Sequence, residues 1–165
     1  MRTLVRTIVW LALIVWLGGL FFFPIIAAAA FTSISDTHAA GSIVAKCLGA
    51  LHREGLGAGC IVFLLLLIGR ATRVYAGIRF ALVVTLIMMG LTAYSQYSII
   101  PHMERDRIAA GGAIDNVPRS DPRHVDFDRL HNRSVRLEEC VMLAGIVLVI
   151  LLAHQEAPER RSDLL

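Results

Sequence analysis

The most informative absence in this 165-residue chain is charge: no Asp, Glu, Lys or Arg stands between Thr7 and Ser35. A helix in water needs a polar face, so an uncharged run of that length excludes an ordinary surface helix and points to lipid. Lysine is nearly missing as well. Lys46 is the one lysine among sixteen cations, and arginine suits positions at headgroup level or in planar ion pairs. Cysteine is sparse: Cys47, Cys60 and Cys140 are odd in number, far apart and without C-x-x-C spacing, which argues against a disulfide framework or a zinc site. A large excess of either charge is also absent. The net charge is +3 and its cations are scattered between apolar runs, so the pI near 9.1 reflects membrane flanks rather than a nucleic-acid-binding patch.

What remains is apolar. Hydrophobic residues make up 56% of the chain and mean hydropathy is +0.67, against roughly 45–50% apolar in ordinary soluble domains. Length limits the architecture to one domain, since four crossings consume roughly 80 residues at ~20 each. The expected fold is therefore all-α: an integral membrane four-helix bundle with an additional amphipathic interfacial helix. It fills residues 1–155, with spans at about 7–31, 55–70, 79–101 and 137–154.

Local signals set these boundaries. Arg2 and Arg6 ahead of the first span and alanines behind it mimic a secretory signal. The apolar stretch exceeds the ~7–15 residues of a signal's core, so the segment is expected to be retained. Pro24 lacks a backbone donor and is expected to kink this span. Asp36 can cap a helix in which Ile43, Val44, Cys47, Leu48 and Leu51 recur at helical spacing opposite Lys46 and Arg53, ending near Gly55. This helix either lies at the interface or extends the second span. Gly55 and Gly59 form a small-x-x-x-small pair, best used for close packing within the chain. The third span closes with Tyr94 and Tyr97 as interfacial aromatics. Residues 102–121 read as a polar loop ending at Asp121 and Pro122, which signal a helix start. Residues 156–165 form a charged tail.

Chemistry-bearing side chains are few. His131, Ser134 and Glu138 stand at i, i+3 and i+7 and share a helix face with Leu130, Leu137 and Val141, giving a partly buried polar stripe. Such a stripe serves either as interhelical hydrogen bonding or as a proton relay or ligand site. No nucleophile elbow accompanies it, which argues against a Ser-His-acid hydrolase. Arg79, opening the third span, completes the candidate polar set. Five of the six histidines fall in the two connections on one side of the membrane. His102 and His131 are the metal or haem candidates, although no H-x-x-x-H spacing supports them. No cofactor is expected.

Several of these elements together resemble the transmembrane protein 205-like family, also called domain of unknown function 4149. They are the Phe-rich first span closing on Pro24, Ala40-Gly41, Arg79, Ile100-Pro101 followed by Arg105, and the run Phe127-x-x-Leu130-His131-x-x-Ser134. The resemblance covers roughly residues 8 to 152 and implies a small multi-span membrane protein with no assigned reaction. Its members are expected to carry an amide where this chain has Glu138.

The functional expectation is a non-enzymatic structural or regulatory bundle whose partner is the lipid bilayer, with no nucleic acid. Two alternatives stand beside it. One is a transporter or ion-handling protein, which would need a homo-oligomer because four helices rarely enclose a pathway. The other is a metal- or haem-binding membrane protein. Arg2, Arg6, Arg70, Arg73, Arg79, Arg160 and Arg161 share one side and nine cations the other, spread over loops about twice as long. Raw counts oppose an inward N-terminus, but arginine density in short segments favours it, so both termini are expected in the cytoplasm of a bacterial inner membrane.

Overall fold

The absence of charge from the first segment lets it form one long helix. In the computed structural model, which describes residues 2–72, 74–75 and 78–156, α1 runs Arg2–Ser33 and continues past Pro24. A three-residue turn follows. Asp36 then caps α2 (Thr37–Ala71) as its spacing predicts, with Oδ1 accepting from the amides of His38 at 2.9 Å and Ala39 at 3.3 Å. The amphipathic stretch is not a separate interfacial helix but the N-terminal half of α2. Neither Gly55 nor Gly59 ends it, because both are needed inside the helix for packing. At 1.5 Å per residue the 35 residues of α2 reach roughly 52 Å, well beyond ~30 Å of hydrocarbon.

α3 (Arg79–Tyr94) passes through a π-helical turn, Ser95–Ile99, into α4 (Ile100–Ala109). Pro101 explains the irregularity. It cannot donate to the preceding turn and its ring crowds the carbonyl one turn back, and a π turn is a common way to absorb this without breaking the helix. The polar stretch expected as loop from 102 is thus helical as far as Ala109. The stop comes at Gly111 and Gly112, whose φ values of 84° and 99° are left-handed conformations that glycine adopts without a Cβ clash. A 3-10 turn at Ile114–Asn116 leads to Asp121, whose Oδ1 accepts from the Arg123 amide at 2.9 Å as α5 (Pro122–Glu156) begins. Residues 157–165, which include most of the expected tail, and Arg73 lie outside the described residues.

The helices run alternately up and down. α1 packs along α2, α3 packs between α2 and α5, and α5 closes back on α1. The core is a ladder of one- and two-turn repeats: Val5, Val9, Leu13, Leu17 and Leu20 from α1, Ala58, Val62 and Leu66 from α2, and Val141, Leu148 and Leu152 from α5. Trp16 is the largest buried side chain, and Gly55 and Gly59 make room for it. A Cβ at Gly55 would lie 2.5 Å from the Trp16 Nε1, and one at Gly59 2.9 Å from Cη2. The glycine pair thus serves packing within the chain. Gly145 does the same for α5, where a Cβ would meet Leu17 and Met88.

The outward surface inverts the logic of a soluble protein. Leu11, Ile14, Leu64, Phe80, Leu86, Leu143 and Ile150 are each at least half exposed, forming apolar faces far larger than water tolerates. Among the described residues there are no strands, and three helical segments are long and apolar enough to cross a membrane: Arg2–Ser33, Thr37–Ala71 and Arg79–Asn116. Both ends of the bundle are tied. At one, Arg6 donates to the Val74 carbonyl at 3.3 Å and its guanidinium lies 5.7 Å from the Tyr75 ring. At the other, Thr37 contacts Asp115 at 3.4 Å and Arg107 donates to Ser42 at 3.0 Å.

Candidate functional site

Three helices bring polar side chains together where the apolar ladder ends. His52 is 1% exposed and projects from α2 toward both neighbours. Its Nε2 lies 2.6 Å from Glu138 Oε1 on α5, and its Nδ1 lies 3.0 Å from Gln96 Oε1 on the π turn. Next to this junction, Ser95 and Ser134 share a buried hydrogen bond of 3.3 Å. The π turn is what makes the pair of contacts available, because its wider winding turns the adjacent Ser95 and Gln96 inward together. Gly49 faces this amide from the α2 side, where a Cβ would stand 3.9 Å from Gln96 Oε1, an ordinary van der Waals contact.

The hydrogen-bond inventory constrains the protons. With Gln96 Oε1 facing Nδ1, that nitrogen donates. Nε2 then either donates, as an imidazolium, to the Glu138 carboxylate or accepts from a protonated Glu138 carboxyl. In both forms a single proton is shared across 2.6 Å between His52 and Glu138. Glu138 Oε2 is buried without a hydrogen-bond partner among the described residues, so the junction retains unused acceptor capacity. Arginine flanks it on the outside, where the Arg133 guanidinium lies 5.3 Å from the Tyr94 ring.

The polar stripe expected on α5 divides. Ser134 and Glu138 face the bundle and enter the junction, whereas His131 is exposed and stacks on Phe127 with ring centroids 6.4 Å apart. Helix geometry explains the split, because His131 lies 60° round from Ser134 at ~100° per residue, enough to leave the buried arc. Arg79 is exposed at the start of α3, seventeen residues and roughly 25 Å along the helix from Gln96, and takes no part. His102 is exposed too, its Nδ1 2.9 Å from the Ser98 carbonyl. His102 and His131 belong to no group of three His, Cys, Asp or Glu side chains placed to hold a metal among the described residues.

The residues that sequence reasoning did not select are His52, Gln96 and Ser95. A signal existed for His52: it precedes Gly55 by three and Gly59 by seven, so it shares the close-packed glycine face. Gln96 is the one amide between Phe80 and Pro101. Comparison with known proteins finds no matching family model, no matching curated protein and no matching solved structure.

Proposed function

We propose that the protein is a non-enzymatic four-span bundle of the bacterial inner membrane, structural or regulatory in role, in which α5 is the fourth crossing. The observation that carries this reading is the buried junction of His52, Gln96 and Glu138, which ties α2, the π turn and α5 at one level. Support for the fourth crossing is that Cys140 to Ala153 is uncharged and packs Val141, Leu148 and Leu152 into the common core, with Leu143, Val147 and Ile150 facing outward. Both termini then lie on one side, and arginine density in the short connections assigns that side to the cytoplasm. Membership of the transmembrane protein 205-like family is part of the same proposal and supplies no reaction.

A second reading is ion handling, favoured by one observation: a proton shared between two titratable groups beside a buried carboxylate oxygen that has no partner among the described residues. One experiment separates the two. Purified protein and its Glu138→Gln variant are reconstituted in liposomes containing a pH-sensitive dye, and melting is followed in detergent. A structural junction gives a lower melting temperature for the variant with no proton flux from either protein. Flux from the wild type that Glu138→Gln abolishes would replace the structural reading with the ion-handling one.

A further inference from the structure

Outside the junction, the exposed side of α5 carries two patterns on one face. Arg129, Arg133 and Arg136 stand at its upper part, and with Asn132 they line an open cleft of about 410 Å³. Leu143, Val147 and Ile150 continue the same face downward, exposed by 64%, 47% and 61%. At 100° per residue these six positions fall within about 100° of the helix circumference, so cations and apolar side chains form a single line. Arg129 is paired with Asp126 at 2.7 Å. Arg133 and Arg136 make no salt bridge among the described residues, and Glu139 stands exposed at the edge of the line. Arg133 is held over Tyr94 at 5.3 Å, which keeps its fork beside the cleft, and Tyr97, exposed by 69%, marks the same level on the neighbouring helix.

We propose that this face is a binding site for an anionic phospholipid, with its phosphate held by Arg133 and Arg136 and an acyl chain lying along Leu143, Val147 and Ile150. The cationic part matches any phosphate. The continuous apolar line below it is what a lipid uses and a free phosphate does not. The proposal rests on the reading of α5 as a crossing helix, because only then does the apolar line face hydrocarbon.

The test is native mass spectrometry of the full chain released from detergent after titration with phosphatidylglycerol or with phosphatidylcholine of identical acyl chains. Each cation at such a surface favours an anionic headgroup several-fold, so phosphatidylglycerol should be preferred roughly tenfold or more. Arg133→Gln with Arg136→Gln should erase that preference. Arg133→Lys with Arg136→Lys should retain most of it, and Arg119→Gln, which removes a loop cation, should leave it intact. Equal retention of the two lipids by the wild type, or an unchanged preference in the double Gln variant, would overturn the proposal. So would displacement of the lipid by millimolar inorganic phosphate, which would make the site one for the free ion.

The crossing itself is read separately. Leu143→Cys, in a chain whose native cysteines are replaced by serine, should resist a water-soluble maleimide in liposomes from both sides. Labelling there would remove the crossing and the lipid site with it, whereas protection without lipid preference would remove only the lipid site.

Discussion

Replacing His52 with alanine is the perturbation whose size follows most directly from the junction. His52 is 1% exposed and Glu138 15%, and Glu138 Oε2 has no hydrogen-bond partner among the described residues, so loss of the imidazole leaves a mostly buried carboxyl group with neither oxygen satisfied. Breaking a buried charged pair from one side costs ~3–5 kcal/mol. A neutral hydrogen bond between membrane helices is worth much less, averaging ~0.6 and reaching ~1.7 kcal/mol. The imidazolium–carboxylate form of the pair therefore predicts a loss of ~3 kcal/mol for His52→Ala, a fall of roughly 6–12 °C in melting temperature for a chain of this length. Alanine also leaves a cavity, and a double-mutant cycle separates that contribution. His52→Ala, Glu138→Ala and the double variant are unfolded in detergent, and the coupling energy is taken from the departure from additivity. It should exceed ~2 kcal/mol, above the range of neutral membrane hydrogen bonds. A coupling of ~0.6 kcal/mol or less would refute the reasoning, because the two groups would then be meeting no differently from any polar pair between membrane helices.

The other predictions follow from packing and capping. Gly55→Ala should lower stability by ~1–3 kcal/mol through overpacking against Trp16, while Gly57→Ala, whose Cβ meets nothing within 4 Å, should be neutral or raise it by up to ~1 kcal/mol; in thermal melts only Gly55→Ala should fall below the parent chain. Ser134→Ala leaves Ser95 without its buried partner and should cost about 1 kcal/mol, whereas His131→Ala on the exposed side should cost less, as read by the same melts. Asp121 is held down from the usual carboxylate range to about 2 by the Arg123 side chain first and the Arg123 amide second. A depressed acid stabilises the fold fully above its unfolded pKa near 4 and loses that contribution as pH falls toward 2. Protection of the amides in the first turn of α5, taken relative to their intrinsic exchange rates, should therefore fall across that interval, and in Asp121→Asn that fall should be absent.

Some of this was legible in the sequence for simple reasons. The uncharged run of α1 and the Asp36 cap are properties of contiguous residues, and both appear where the pattern put them. The glycine pair was legible as a packing device, but not its occupant, because Trp16 lies on another helix. Helix boundaries are not legible from polarity alone. Residues 102–109 are polar yet contain no helix-breaking residue, so the chain stays helical until Gly111. The junction was half visible. Ser134 and Glu138 announce themselves by spacing on one helix, whereas His52 and Gln96 acquire meaning only when the π turn brings Gln96 round to face α2. Periodicity within a segment does not report such an encounter between segments.

The four-crossing arrangement is tested most directly by mapping the sides of the membrane reached by successive connections. Reporters active only on one side are inserted at the N-terminus, at Gly111-Gly112 and at the C-terminus, in the otherwise intact chain. If α5 crosses, the two termini report the same side and the Gly111-Gly112 insertion the opposite one. A C-terminus that reports the same side as Gly111-Gly112 would mean that α5 stays out of the bilayer, contradicting the four-span bundle and the placement of its buried His52–Glu138 junction within it.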